Sequence, residues 1–208
     1  MGMTRATELS DDGLLGRMIA GDEDAFALLY RRRHPAIYRF ALHMSGNTAV
    51  AEDVTQEVFL ALIRDARRFD PAKGTVSGFL FGIARNHLRK RWERDKRLMP
   101  LLEEGHEFGK FRANGTGNGV RPMSAPAHED LAAFETVGRV RQAIATLPAN
   151  YREVVILCDL EEMSYEEAAS ALSCPVGTVR SRLHRAREIL IEKLRDVNPI
   201  RRAPAVGA

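Results

Sequence analysis

Aromatic residues make up only 7% of the 208-residue chain, and regularly alternating runs of Val, Ile, Thr and Tyr are missing. Half-buried strands need that alternation, so its absence argues for an all-α fold. No apolar run approaches the ~20 residues of a membrane helix. Met1 to Asp12 holds no apolar stretch that could act as a secretory leader. A cytoplasmic protein without membrane insertion is expected. The two cysteines, Cys158 and Cys174, give neither a disulfide framework nor metal-ligand spacing. The six histidines are scattered, with no helical pair beside a carboxylate. No metal and no cofactor is therefore expected. No nucleophile constellation and no metal-binding carboxylate set is evident either, which argues against an enzyme with a small-molecule substrate.

What is present is helical patterning in two blocks. After a tail at residues 1–13, apolar residues recur at three- and four-residue steps from Leu14 to about residue 98. Acidic Asp22 to Asp24 precede Ala25, Phe26, Leu28 and Leu29, as at a helix start, and Gly46-Asn47 ends that unit. A second helix is expected from about Thr48 to Arg67, and a third from near Ser77 through Trp92, with a turn at Asp70-Pro71 and Lys73-Gly74 between them. Residues 99–130 then carry many glycines, three prolines and few large aliphatics. Such a stretch buries too little apolar surface to offset its ordering entropy and reads as a flexible linker. Helical periodicity resumes at Leu131 and runs to about residue 195, and residues 196–208 read as a disordered tail. The expectation is two small helical domains joined by a linker.

In the second block, Ser164-Tyr165-Glu166-Glu167 has the form of a capping box, with Ser164 accepting from the amide of Glu167 and the glutamate reaching back. Ala168, Ala169 and Leu172 face inward on the short helix that follows. Ser173-Cys174-Pro175 breaks it, and Gly177-Thr178 starts another. A short helix, a tight turn and a second helix form a helix-turn-helix. At about 100° per residue, Val179, Leu183, Ala186 and Leu190 share one stripe. Gly177, Ser181, His184 and Glu188 lie opposite, flanked by Thr178, Arg180 and Arg185. Arg182 and Arg187 sit nearer the edges, within reach of phosphates or neighbouring carboxylates. A polar face of this kind suits major-groove base edges, where arginine reads guanine and serine or threonine serves either base. A merely solvated helix face is the plainer alternative; the turn, the small residues and the acid-poor exposed face speak against it.

The first block holds two contrasting helices. Between Arg85 and Arg97 seven basic residues oppose only Glu93 and Asp95, a local charge of +5. Phe79 and Phe81 precede this stretch and Trp92 lies within it. Cations interleaved with rings suit a single strand, phosphates following the charge and unstacked bases the rings; Phe81 fits a core position better. On the helix from Ala51 to Arg64, Val54, Val58 and Leu62 form a buried stripe. Asp53, Gln56, Glu57 and Leu60 fall on another face. A leucine ringed by acid and amide groups there is a candidate docking surface for a basic protein partner.

Taken together, these motifs resemble the extracytoplasmic-function (ECF) sigma factors of the sigma-70 family. Ala51-Glu52-Asp53-Val54-Thr55-Gln56-Glu57-Val58-Phe59 resembles the family's polymerase-binding helix, and Phe69-Asp70-Pro71 with Ile83-Ala84-Arg85-Asn86 its promoter-melting and minus-ten-reading segment. Leu147-Pro148, Tyr151-Arg152-Glu153-Val154, the capping box and Gly177 to Arg187 resemble its minus-thirty-five-reading module. The resemblance implies core RNA polymerase and promoter DNA as partners, an anti-sigma factor as a further one, and catalysis left to the polymerase. It implies Asp53, Gln56, Glu57 and Leu60 at the polymerase, Phe79, Arg85, Asn86, Arg89 and Lys90 at the minus-ten element, and Thr178, Arg180, Ser181, His184 and Arg185 at the minus-thirty-five element. Phe79-Leu80 departs from the family's usual Trp-Leu, which puts one stacking contact in doubt. A stand-alone helix-turn-helix regulator is the alternative; it would need no docking face around Asp53 and Gln56.

Overall fold

A computed structural model describes residues 9–98 and 128–195 of the chain. The expected linker lies outside the described residues up to residue 127, as do the expected tail at 196–208 and residues 1–8. Among the described residues the structure is helical, without strands.

The first unit begins earlier than the periodicity indicates. Helix α1 spans Asp11–Ile19, capped by Ser10, whose Oγ accepts from the amide of Gly13 at 3.2 Å. Residues 11–13 thus belong to the fold rather than to a tail. The Asp11 carboxylate is held by Arg32 and Arg33 of α2, Glu23–Ser45. Asp22 caps α2 through the amide of Ala25 at 3.0 Å, and Gly46, at φ +64°, ends it in the left-handed conformation that glycine adopts without cost. Pro35 lies inside α2, on its exposed side, and does not terminate it. Helix α3 runs Thr48–Asp65 with Asn47 as its cap and tightens into a 3₁₀ turn at Ala66–Arg68, so the helix expected to reach Arg67 changes pitch two residues sooner. Helix α4, Val76–Leu98, has Thr75 Oγ1 accepting from the amide of Gly78 at 3.2 Å. Leu29, Phe40, Val58, Leu62, Leu80, Phe81 and Leu88 meet in the core between these helices. Phe40 and Phe81 pack edge to face, 5.4 Å apart, so Phe81 is a core residue.

The second unit comprises α5 (His128–Ala145), α6 (Ala149–Val155) continuing into a wider π turn at Ile156–Leu160, α7 (Tyr165–Leu172) and α8 (Val176–Leu194). Both bonds of the capping box at Ser164 and Glu167 are made, at 3.1 and 3.0 Å. Ser173, at φ +50°, turns the chain between α7 and α8. Val179, Leu183 and Ala186 are buried, as their stripe requires, and Leu190 is half-buried.

The two units share one core rather than standing apart. Helix α4 lies along α7, and α2 touches α5 and α6. Arg152, only 6% exposed, donates from Nη1 to the Met44 carbonyl at 3.0 Å and from Nη2 to the carbonyls of Leu147 and Ala145 at 2.9 and 2.5 Å. One guanidinium thus closes the C-terminal end of α2 onto the turn before α6, against a desolvation that lowers its affinity for its proton.

Candidate nucleic-acid and polymerase interface

Helix α8 carries the first cluster. Arg180, Ser181, His184 and Arg185 are exposed and Thr178 is half-buried, so the structure brings all five predicted residues onto one accessible face. Arg180 lies over the Tyr165 ring, 5.7 Å from its centroid, a cation–π contact that holds the guanidinium near the start of α7. Glu188 takes both Arg185 Nη1 at 3.0 Å and His184 Nε2 at 3.5 Å. One carboxylate thus engages two of the five residues. Neither the Tyr165 support nor the double use of Glu188 was anticipated from the sequence; the three- and four-residue spacings to Glu188 were the available signal. Arg187 reaches the Asp159 carboxylate at 2.5 Å, as its edge position suggested.

The second cluster lies on α4 and is only partly assembled. Phe79 and Phe69 pack with centroids 5.6 Å apart beside a cavity of about 300 Å³, which Asn86 also lines. Arg89 and Lys90 are exposed one turn further on, Arg89 near Glu93 at 3.8 Å. Arg85 turns away from them. Its Nε donates to Glu153 Oε1 at 3.0 Å, with side chains 18% and 5% exposed, so in this arrangement it is engaged by α6 rather than presented to a strand. Burial raises the Glu153 pKa, and the Arg85 charge beside it acts in the opposite direction.

The third cluster flanks a groove of about 360 Å³ between α2 and α3. Gln56 and Leu60 line it, joined by Tyr30, His34, Glu52 and Ile63. Leu60 and Ile63 are 49% and 54% exposed, an apolar pair beside polar Glu52 and Gln56. The Tyr30 ring packs in tilted contact with Phe59 and His34, with centroids 4.6 and 4.9 Å away. Asp53 and Glu57 are exposed on the side nearer α4, and Asp53 pairs with Arg91 at 3.1 Å. The predicted four residues therefore divide into two that line the groove and two beside it. Tyr30 and His34 escaped the sequence reading because they belong to another helix.

Burial, then Asp159, pushes the Cys158 thiol up to about 11, which leaves little thiolate at neutral pH. Among the described residues no cluster of His, Cys, Asp and Glu could hold a metal ion, and no helix is long and apolar enough to cross a membrane.

Comparison with known proteins gives these three clusters a common frame. The family profile of Sigma-70 region 2 matches residues 29–98, and that of Sigma-70, region 4 matches residues 138–190. The chain is 34% identical to the ECF RNA polymerase sigma factor SigW of Bacillus subtilis over 85% of its own length and 92% of that protein's. It is 34% identical to the ECF sigma factor SigE of Mycolicibacterium smegmatis over 80% of its length, spanning 60% of that longer chain. Among solved structures, the sigma factor RpoE of Bartonella quintana, crystallised with the anti-sigma factor NepR, superimposes with a TM-score of 0.63 at 25% identity, over 82% of this chain and 96% of that one. The fold and the two matched regions define a promoter-specificity subunit of bacterial RNA polymerase. The chain belongs to the ECF sigma factors, and directs transcription initiation as a member of that family.

Proposed function

We propose that the α2–α3 groove is the surface by which this sigma factor docks on core RNA polymerase, with α4 and α8 reading the two promoter elements. The observation that carries the docking assignment is the exposed Leu60–Ile63 pair beside Glu52 and Gln56. An apolar centre with a polar rim is the anatomy of a protein-binding surface. Its acidic rim and the Asp53 and Glu57 carboxylates beside it suit a basic coiled coil. A stand-alone operator-binding regulator has no use for this groove.

On α8, Arg180 and Arg185 are placed for guanine edges or phosphates of the minus-thirty-five element, with Thr178, Ser181 and His184 between them. On α4, the Phe69–Phe79 pair and Asn86 border a cavity suited to an unstacked base, and Arg89 and Lys90 can follow the phosphates. Extruding a base costs a few kcal/mol, so capturing it helps to drive melting. In this reading RNA synthesis belongs to the polymerase. We infer a cytoplasmic factor that answers an envelope or stress signal through an anti-sigma factor, a reading supported by the anti-sigma factor bound to the Bartonella relative. Titrating the fluorescently labelled chain with core polymerase tests the assignment. Saturable binding, competed by a known sigma factor, is expected; no association would remove it.

A further inference from the structure

The polar side chains on the α8 face differ in what already holds them. Ser181 Oγ donates to the Thr178 carbonyl at 3.1 Å, within the helix itself. Glu188 takes Arg185 at 3.0 Å and His184 at 3.5 Å. Arg180 is exposed and has no carboxylate partner among the described residues; its guanidinium lies instead over the Tyr165 ring, 5.7 Å from the centroid. The difference is chemical. A carboxylate accepts the same N–H groups that a guanidinium would offer to DNA. An aromatic face attracts the cation through its π electrons and leaves the five N–H donors uncommitted.

The ring is itself held in place. Tyr165 is the first residue of α7, and the two capping-box bonds between Ser164 and Glu167, at 3.1 and 3.0 Å, fix the backbone around it. Its side chain is half-buried against a core that contains Ala168, Ala169 and Leu172 of α7 and Val179 and Leu183 of α8. The packing of these two helices therefore sets where the ring stands relative to Arg180. A long, exposed side chain loses rotamer freedom when it is ordered on a partner, which weakens binding. Support on a fixed ring removes part of that cost before DNA arrives and orients the planar fork.

We propose that Tyr165 is a positioning residue for promoter reading: its ring presents the Arg180 guanidinium, and through Arg180 it sets the base preference at one position of the minus-thirty-five element. This rests on the minus-thirty-five reading of α8 made above. The base that matches a planar fork with free donors is guanine, which offers two acceptors side by side in the major groove. Specificity at that position is thus tuned from α7, the first helix of the helix-turn-helix, by a residue that need touch no base.

The test reconstitutes the full chain with core polymerase, binds it to a pool of random-sequence linear duplexes, and sequences the bound molecules. The readout is the ratio of preferred to other bases at each position, which misfolded molecules do not change because they select nothing. Arg180→Ala should lower that ratio on the order of tenfold at one position. Tyr165→Leu should lower it at the same position by about two- to fivefold and leave the others as they were. Tyr165→Phe, which keeps the ring, should match the parent. In an Arg180→Ala background Tyr165→Leu should change nothing further, since the tyrosine acts through the arginine. The proposal is overturned if Tyr165→Leu leaves that ratio unchanged, lowers every position alike, or acts equally with and without Arg180. A loss in Tyr165→Phe as large as in Tyr165→Leu overturns it too, by assigning the effect to the hydroxyl. If the parent shows preferences that Arg180→Ala does not alter, Arg180 reads no base and the positioning role falls with it. A parent that selects no sequence takes away the α8 reading itself.

Discussion

Arg85 and Glu153, 68 positions apart in sequence, form a mostly buried ion pair that joins α4 to α6. Burial raises the Glu153 pKa above the ordinary glutamate value. Relative to the unfolded chain, burial therefore shifts this group towards its protonated form, and the Arg85 charge opposes that shift. The stability linked to this group is fully present below the unfolded-state pKa and is lost as pH rises through the higher folded-state pKa. Glu153→Gln removes that titration. Urea unfolding of parent and variant should show their difference moving in the variant's favour as pH rises above the ordinary glutamate range, then levelling off. A difference independent of pH would mean that Glu153 is not strained by burial.

Arg152 satisfies three carbonyls from two segments of the chain. Arg152→Met keeps much of the volume but leaves those acceptors without their donor. A loss on the order of 3 kcal/mol is expected by chemical denaturation, since each buried unsatisfied group costs roughly 1–3 kcal/mol. A loss under about 1 kcal/mol would show that water replaces the guanidinium.

Arg180 and Arg185 stand on the exposed face of α8. Replacing either by alanine should weaken promoter binding, by ~1–3 kcal/mol with relaxed preference at one position if it reads a base. A phosphate contact would instead weaken all sequences alike and flatten the salt dependence. Unchanged selectivity and salt slope in both variants would remove them from the interface.

Leu60→Asp places a charge at the centre of the α2–α3 groove. Because Leu60 is exposed, folding stability should change by no more than about 0.5 kcal/mol. Affinity for core polymerase should fall by about 2 kcal/mol if the residue is a docking hot spot. Undiminished affinity would move the docking surface elsewhere.

The α8 face was legible in the sequence because one helix carries all of it and a 3.6-residue period sorts buried from exposed positions. The capping box at Ser164 and Glu167 was legible for the same reason: its bonds are local. The start of α1 was also local, in the cap-forming Ser10 with acidic Asp11 and Asp12, but the apolar pattern begins only at Leu14. Contacts between distant segments were not legible. Tyr30 joins Leu60 at the groove, and Gly78 meets Glu167, only because the fold brings separate helices together. Arg85 shows the same limit, since its sequence neighbours are basic and nothing local announces a glutamate 68 positions away.

The central claim is that this chain confers promoter selectivity on core polymerase, and run-off transcription from a library of bacterial promoter fragments tests it most directly. Core enzyme alone should give no discrete products, and core with the parent chain should transcribe a defined subset sharing two short elements at fixed spacing. Leu60→Asp should lose these products in step with its core affinity. A parent chain that adds no transcripts to core, yet footprints duplex DNA unaided, would contradict the account and leave a stand-alone regulator in its place.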